Sequence, residues 1–169
     1  MPKERTLILN TTQVNQKITR MAHEIYEHHY TSKDLILVGV KGNGSELATR
    51  LYDILVSIST LNVSNLELSI DKDDPLHGDI IFTGNLRDLK GKQVVLVDDV
   101  LNSGRTLMYA SRYLLESEVK RLSIATLIDR FHRRFPMRAN FVGLTLSTNL
   151  KEHVTVDFTS KKESVHLEA

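Results

Sequence analysis

Residues 94–106 read Val94-Val95-Leu96-Val97-Asp98-Asp99-Val100-Leu101-Asn102-Ser103-Gly104-Arg105-Thr106. The aliphatic run Val94–Val97 predicts a buried strand, two adjacent carboxylates follow it, and a turn of small residues leads into a helical pattern over residues 106–116. In open α/β sheets, ligands bind at the carboxyl ends of the strands. The stretch therefore predicts a parallel sheet with a ligand site at its edge.

The sequence on either side of this stretch alternates between strand and helix patterns. Apolar residues at steps of three and four predict helices over residues 14–26 and 47–55, and Thr11 or Thr12 would cap the first. Residues 71–85, rich in Asp, Pro, Gly and Asn, predict a mobile loop. Aliphatic runs predict further strands at Leu7–Leu9, Asp34–Val40, Ile80–Phe82, Leu122–Ile128 and Phe141–Leu144. We expect an α/β fold in which helices flank an open, mostly parallel sheet.

Size and composition restrict the classes of protein. A chain of 169 residues suits a single domain, residues 1–169, with a sizeable core. The formal net charge of +1 provides no general attraction to nucleic acid or to a membrane surface. The absence of cysteine excludes disulfides, thiol catalysis and thiolate zinc sites. Residues 1–5 do not resemble a signal peptide and the apolar runs have only strand length, so we expect a cytoplasmic protein with no membrane partner.

Each half of the stretch 94–106 has a chemistry of its own. Backbone N–H groups in the turn, with the hydroxyls of Ser103 and Thr106, are suited to bind a phosphate, and Gly104 allows a close approach. Asp98 and Asp99 are suited to bind ribose hydroxyls and a Mg²⁺ ion shared with the ligand. A sugar phosphate would use both halves. The alternative is an acidic pair that only caps the next helix, as most isolated pairs do.

Other nucleotide-binding or phosphate-binding folds fit less well. The sequence contains no G-x-x-x-x-G-K-[ST] run and no G-x-G-x-x-G run, which excludes a P-loop and a dinucleotide fold. A response-regulator receiver has its acidic pair on the first strand, whereas Asp98 and Asp99 lie far along this chain.

The run Val94–Thr106 resembles the signature of type I phosphoribosyltransferases, which bind phosphoribosyl pyrophosphate (PRPP). The resemblance implies a fold with a small hood, and it implies that Asp98 and Asp99 contact the ribose and bind Mg²⁺, the expected cofactor. Lys72 would join the two acids as a catalytic residue. The PRPP contacts would further include Asn102, Ser103, Gly104, Arg105 and Thr106. Lys41, Gly42, Asn43 and Gly44 would form a pyrophosphate loop; without the resemblance, they indicate only a strand-to-helix turn.

Residues 19–25 and 127–143 extend the resemblance to the PyrR family, bacterial regulators of pyrimidine operons by transcription attenuation that also have uracil phosphoribosyltransferase activity. This resemblance implies transfer to uracil, a homo-oligomer, and RNA as a further partner. The base-binding residues would be Asp129, Arg130, Arg138 and Val142. A basic cluster would serve RNA binding or would be a solvated loop; its members are Arg130, His132, Arg133, Arg134 and Arg138.

Departures from the PyrR pattern leave the efficiency of catalysis open, whereas Asn102 favours uracil over a purine. Asn43 stands where PyrR-type proteins usually carry Arg, and Asp71-Lys72 stands where they carry Tyr-Arg, next to a short lid. Asn102 stands where purine phosphoribosyltransferases carry an acid, and an amide cannot transfer a proton at neutral pH. The alternatives to a uracil enzyme are a nucleotide-sensing regulator with a decayed site and a purine phosphoribosyltransferase, which would differ in the hood, expected around residues 129–148.

Overall fold

The computed structural model describes residues 4–159 and 162–169; residues 1–3 and 160–161, which belong to the predicted domain 1–169, lie outside this range. Strands and helices alternate over most of it. The elements are β1 (Arg5–Leu9), α1 (Thr11–His29), β2 (Asp34–Val40), α2 (Asn43–Ile58), β3 (Asn62–Ile70), β4 (Ile80–Phe82), a short 3-10 helix (Leu86–Leu89), β5 (Gln93–Leu101), α3 (Arg105–Leu114), β6 (Arg121–Asp129), β7 (Phe141–Thr145), β8 (His153–Asp157) and β9 (Ser164–Glu168).

The main sheet has six strands in the order β4-β3-β2-β5-β6-β7. All neighbouring pairs are parallel except β3 and β4, which pair antiparallel. Side chains of the central strand β5 alternate between two cores. Val95 and Val97 pack with α1 and α2, whereas Val94 and Leu96 pack with α3. Because helices cover both faces, the central strands carry continuous apolar runs at Leu35–Val40 and Val94–Val97, and the predicted fold class is confirmed.

A second, smaller sheet is built from the two ends of the chain. It contains three antiparallel strands in the order β1-β9-β8. Val156 and Val165 of this sheet are buried in the same core as α1 and α2. Residues 129–148, where we expected the hood, instead contribute β7 to the main sheet. The additional layer therefore comes from β8 and β9, which the sequence reading did not predict, and from β1.

Several element boundaries differ from the predicted ones. The cap of α1 is Asn10, and the expectation of Thr11 or Thr12 was wrong: the Asn10 side chain accepts from Gln13 N–H at 2.9 Å, and the Gln13 side chain accepts from Asn10 N–H at 3.0 Å. Strand β5 continues to Leu101, so both acids lie within the strand rather than after it. In residues 4–159 and 162–169, no helix is long and apolar enough to cross a membrane.

Candidate functional site

Two acids of β5 form the floor of the site. Asp98 is 5% exposed, and its carboxylate accepts a hydrogen bond from the Asp99 N–H at 2.9 Å. Asp99 is partly exposed and accepts from the Val100 N–H at 2.8 Å. Successive side chains of a strand point to opposite faces, so the two neighbours differ in burial.

The environment of Asp98 changes its acidity. Burial raises the pKa of Asp98 to about 8, the negative charge of Asp99 acts in the same direction, and the positive charge of Lys72 opposes both. Burial and the charge of Asp99 therefore favour the protonated form of Asp98 in the free protein. A cation that binds beside it would favour the ionised form.

A pocket of about 120 Å³ lies above the acids, lined by Lys72 and by all residues from Asp98 to Leu107. One wall of this cavity thus contains the five further residues that were predicted to bind PRPP, Asn102–Thr106. Gly104 has a φ of 85°, and a Cβ at this position would lie 2.8 Å from Cβ of Met137. Both the left-handed backbone and the close approach require glycine here. Helix α3 begins at Arg105, so its first turn forms part of the wall.

The loop between β3 and β4 brings Lys72 to this pocket. Asp71 stabilises the loop, because its Oδ1 accepts from the N–H groups of Asp73 and Asp74 at 2.9 and 3.1 Å. Arg105 donates to the Asp73 carbonyl oxygen at 3.5 Å. The loop and the first turn of α3 are therefore in contact, and Lys72 faces the two acids.

Lys41 and Gly42 connect β2 to α2, and Asn43 and Gly44 are the first residues of α2; none of the four lines the pocket. The Asn43 side-chain amide donates to Asp99 Oδ2 at 3.0 Å and to the Val156 carbonyl oxygen at 2.9 Å. Asn43 therefore links an acid of β5 to β8. A Cβ on Gly44 would lie 2.8 Å from the Val97 carbonyl oxygen, so glycine lets α2 pack directly on β5.

The four predicted base-binding residues do not line the pocket either. Asp129 is buried and accepts from Arg133 Nη2 with both oxygens at 2.7 Å. Val142 has its carbonyl oxygen bonded to Arg20 at 3.1 Å, and Arg138 is exposed. Contact of these residues with a base stays a prediction.

Arg130 is 7% exposed and lies behind the pocket wall. It donates to Asn102 Oδ1 at 2.9 Å, to Thr148 Oγ1 at 3.1 Å, and to the carbonyl oxygens of Asn149 and Glu152. A buried guanidinium needs such partners, because burying unpaired N–H groups is costly. Arg130 thus joins the turn after β5 to the segment that precedes β8.

The predicted basic cluster does not form one surface. Arg130 and Arg133 are bonded within the protein, and His132 contacts the Thr148 carbonyl oxygen at 2.6 Å. Arg134 and Arg138 are exposed. Only these two of the five side chains are open to a polyanion.

Residues 148–157 run past the acids, and the sequence analysis did not predict a role for them. This segment supplies partners to Arg130 and Asn43 and includes β8. The alternation of Val154 and Val156 with polar residues was the available signal, but a five-residue strand at the edge of a small sheet gives a weak one.

Comparison with known proteins agrees with this geometry. The family model for the phosphoribosyl transferase domain matches residues 5–162. A relative named "Bifunctional protein PyrR" from Macrococcus caseolyticus is 34% identical, and the match covers 97% of this chain and 99% of the relative. The chain belongs to the phosphoribosyltransferases of the PyrR family.

Further comparisons support the family and the fold. A second "Bifunctional protein PyrR", from Staphylococcus epidermidis, is 36% identical over 89% of this chain and 90% of its own length. The hypoxanthine phosphoribosyltransferase of Trypanosoma cruzi superposes with a TM-score of 0.78 at 16% identity, covering 96% of each chain. A hypoxanthine-guanine phosphoribosyltransferase from Bacillus anthracis gives a TM-score of 0.68 at 20% identity and covers 88% of this chain and 86% of its own. At these identities, the two structures establish the fold of this phosphoribosyltransferase and not its base.

Proposed function

We propose that the protein transfers ribose 5-phosphate from PRPP to uracil, giving UMP and pyrophosphate. The pocket formed by Lys72 and Asp98–Leu107 carries this proposal, because it combines two carboxylates, a phosphate-binding turn and a cation. A nitrogen of the base attacks C1 of the ribose, and pyrophosphate leaves from the same carbon. Such a reaction requires positioning and charge stabilisation and no covalent enzyme intermediate.

Each side chain of the pocket has a role in this proposal. Asp98 and Asp99 bind the ribose hydroxyls, while Ser103, Thr106 and the N–H groups at the start of α3 bind the 5′-phosphate. Lys72 stabilises the negative charge on the departing pyrophosphate, and residues Lys41–Gly44 approach the same group from the side of β2. Asn43 must release Asp99 or Val156 before its amide contacts pyrophosphate, because both hydrogen bonds use its Nδ2.

The donor set fits Mg²⁺ bound together with PRPP. Mg²⁺ prefers oxygen ligands and commonly binds through one or two carboxylates plus substrate oxygens. Asp98 and Asp99 supply two carboxylates, and in residues 4–159 and 162–169 no group of three or more His, Cys, Asp or Glu residues is placed to hold an ion without a ligand. When bound, Mg²⁺ would neutralise part of the charge on the leaving pyrophosphate.

Uracil is the preferred base because the relatives belong to the PyrR family and because Asn102 cannot act as the acid expected of a purine enzyme. The test is pyrophosphate release from PRPP and Mg²⁺ with uracil, hypoxanthine, guanine and adenine supplied separately. Release with uracil alone supports the proposal. Release with a purine alone contradicts the choice of base.

A second function, pyrimidine-responsive RNA binding, is favoured by the relatives' name "Bifunctional protein PyrR" and by the exposed Arg134 and Arg138. The protein would act as a homo-oligomer, as the family resemblance implies. RNA affinity should increase when UMP binds and should decrease steeply as salt is added. An Arg134→Gln variant should lose RNA affinity and keep its transferase activity. Equal RNA affinity in the variant would exclude Arg134 as an RNA contact.

A further inference from the structure

Asn102 lies in the pocket wall and is held there by two arginines. It is the first residue after β5, it is exposed to the pocket, and it is tied to the segment after β6 in two ways. Arg130 donates to its side-chain oxygen at 2.9 Å, and Arg133 donates to its main-chain oxygen at 3.1 Å. Asn102 thus lies where the turn after β5 meets the segment after β6.

The hydrogen bond from Arg130 determines which way the Asn102 amide points. A guanidinium can only donate hydrogen bonds, so the group that faces Arg130 must be the oxygen. If the amide rotated by half a turn, its NH₂ group would face the N–H of Arg130 and leave both donors without an acceptor. Because Arg130 is 7% exposed, water cannot readily replace the lost partner.

The supports of Arg130 keep this arrangement in place. Thr148 Oγ1 and the carbonyl oxygens of Asn149 and Glu152 accept its remaining N–H groups. Arg133 is fixed in turn by its two bonds to Asp129, each 2.7 Å long. The two arginines therefore use both oxygens of Asn102, and the open hydrogen-bonding group of its side chain is the NH₂.

We propose that Asn102 is a specificity-determining residue that donates a hydrogen bond from Nδ2 to a carbonyl oxygen of the nucleobase, and that Arg130 is the positioning residue that makes this amide a donor. The inference rests on the proposed function and deepens it. An aspartate at this place would present an acceptor to the base instead. The pocket therefore favours a base that presents a carbonyl oxygen to Asn102 over a base that presents an N–H group there.

The test compares the binding of UMP, 2-thio-UMP and 4-thio-UMP by calorimetry, since sulfur is a weak hydrogen-bond acceptor. Wild-type protein should bind one of the two thio nucleotides roughly five- to tenfold more weakly than UMP. Asn102→Leu, which removes the donor, should bind all three nucleotides with equal affinity. Asn102→Asp should weaken UMP further, because a carboxylate oxygen would face the carbonyl.

Two further variants distinguish the orientation of Asn102 by Arg130 from a general loss of stability. Arg130→Met should reduce the discrimination between oxygen and sulfur, which loss of stability alone would not do. Asn65→Asp, an exposed strand residue outside the pocket, makes the same change of charge and should keep the wild-type ratio. Equal discrimination in wild-type and Asn102→Leu protein would overturn the inference.

The same design separates this inference from the proposed function. If wild-type protein binds IMP and not UMP, uracil is the wrong base, and the comparison of IMP with 6-thio-IMP tests Asn102 in the same way. Wild-type protein that binds neither nucleotide would contradict the proposed function and the inference together.

Discussion

The residues that line the pocket and those behind its wall use their polar groups in different ways. On the open side, Lys72 and the turn Asn102–Thr106 line the cavity. On the closed side, behind this wall, Arg133 is bonded to Asp129, and both Arg130 and Arg133 are bonded to Asn102. The first side has groups available for a ligand, and the second side holds the first in shape. Substitutions on the open side should therefore change function directly, whereas those on the closed side should change stability and should affect the ligand only through the turn.

Gly104 lies where the open side packs against the closed side, and Gly104→Ala should reduce both the stability of the protein and its affinity for PRPP. The added Cβ would meet Met137 and would have to adopt a φ of 85°. We expect a loss of about 3 kcal/mol in the free energy of unfolding, from backbone strain and overpacking together. The measurement is denaturant unfolding, with PRPP binding followed in parallel.

Gly91→Ala is the matched control for this substitution. Gly91 has a φ of 70°, but no atom lies within 4 Å of the position of its Cβ. Strain alone should cost about 1 kcal/mol. Equal losses in the two variants would contradict the close approach of Met137 to Gly104.

Lys72→Gln tests the open side. Lys72 is exposed in the pocket and makes its main contribution through charge, so kcat/KM should decrease by about 100-fold while the unfolding transition stays unchanged. Lys33→Gln, an exposed lysine before the start of β2, should leave both values unchanged. A large loss of stability in Lys72→Gln would contradict the division between the two sides.

Asp129→Asn tests the closed side. It replaces a carboxylate that accepts two hydrogen bonds from Arg133 with an amide that accepts fewer, and it leaves a partly buried guanidinium short of a partner. We expect a loss of about 2 kcal/mol in stability, with PRPP affinity changed less than threefold. The exposed Asp88→Asn is the control. A fall in PRPP affinity without a loss of stability would mean that Asp129 acts on the ligand directly.

Asp98→Asn should make the protein more stable at high pH. Because burial raises the pKa of Asp98 to about 8, the folded protein holds this proton more tightly than the unfolded chain does. The stability of the wild-type protein therefore falls as the pH rises from the ordinary carboxyl pKa to about 8, and it stays lower above that pH. The variant should lack this fall, with an advantage of at least about 1 kcal/mol at high pH that disappears near pH 4. If the stabilities of the wild-type protein and the variant changed in parallel with pH, the raised pKa of Asp98 would be contradicted.

The part of the open side that follows β5 could be predicted from sequence because its residues are consecutive. One strand, one turn and one helix start place Asp98–Thr106 together, so local patterns were sufficient. The main error there was small: hydrogen bonds to neighbouring strands extend β5 through the two acids, which polarity alone does not reveal.

The closed side could not be predicted in the same way because its contacts join distant segments. Arg130 meets Asn102 from 28 positions away, and Asn43 meets Val156 from 113. A resemblance suggested Asp129 and Arg130 as base ligands, but it could not show that their bonding groups are already used within the protein. The strands β8 and β9 were missed for a related reason: β9 pairs with β1 from the other end of the chain, and the edge strand β8 pairs only with β9 in this sheet.

The most direct test of the central assignment is the affinity of the Asp98→Asn, Asp99→Asn double variant for PRPP in the presence of Mg²⁺, measured by calorimetry beside the wild-type protein. Circular dichroism and thermal unfolding would establish that the variant is folded. We expect a folded variant whose Mg²⁺-dependent binding of PRPP is at least about 100-fold weaker, because the carboxylates that bind the ribose and the ion are gone. Unchanged affinity for PRPP in a folded double variant would contradict it.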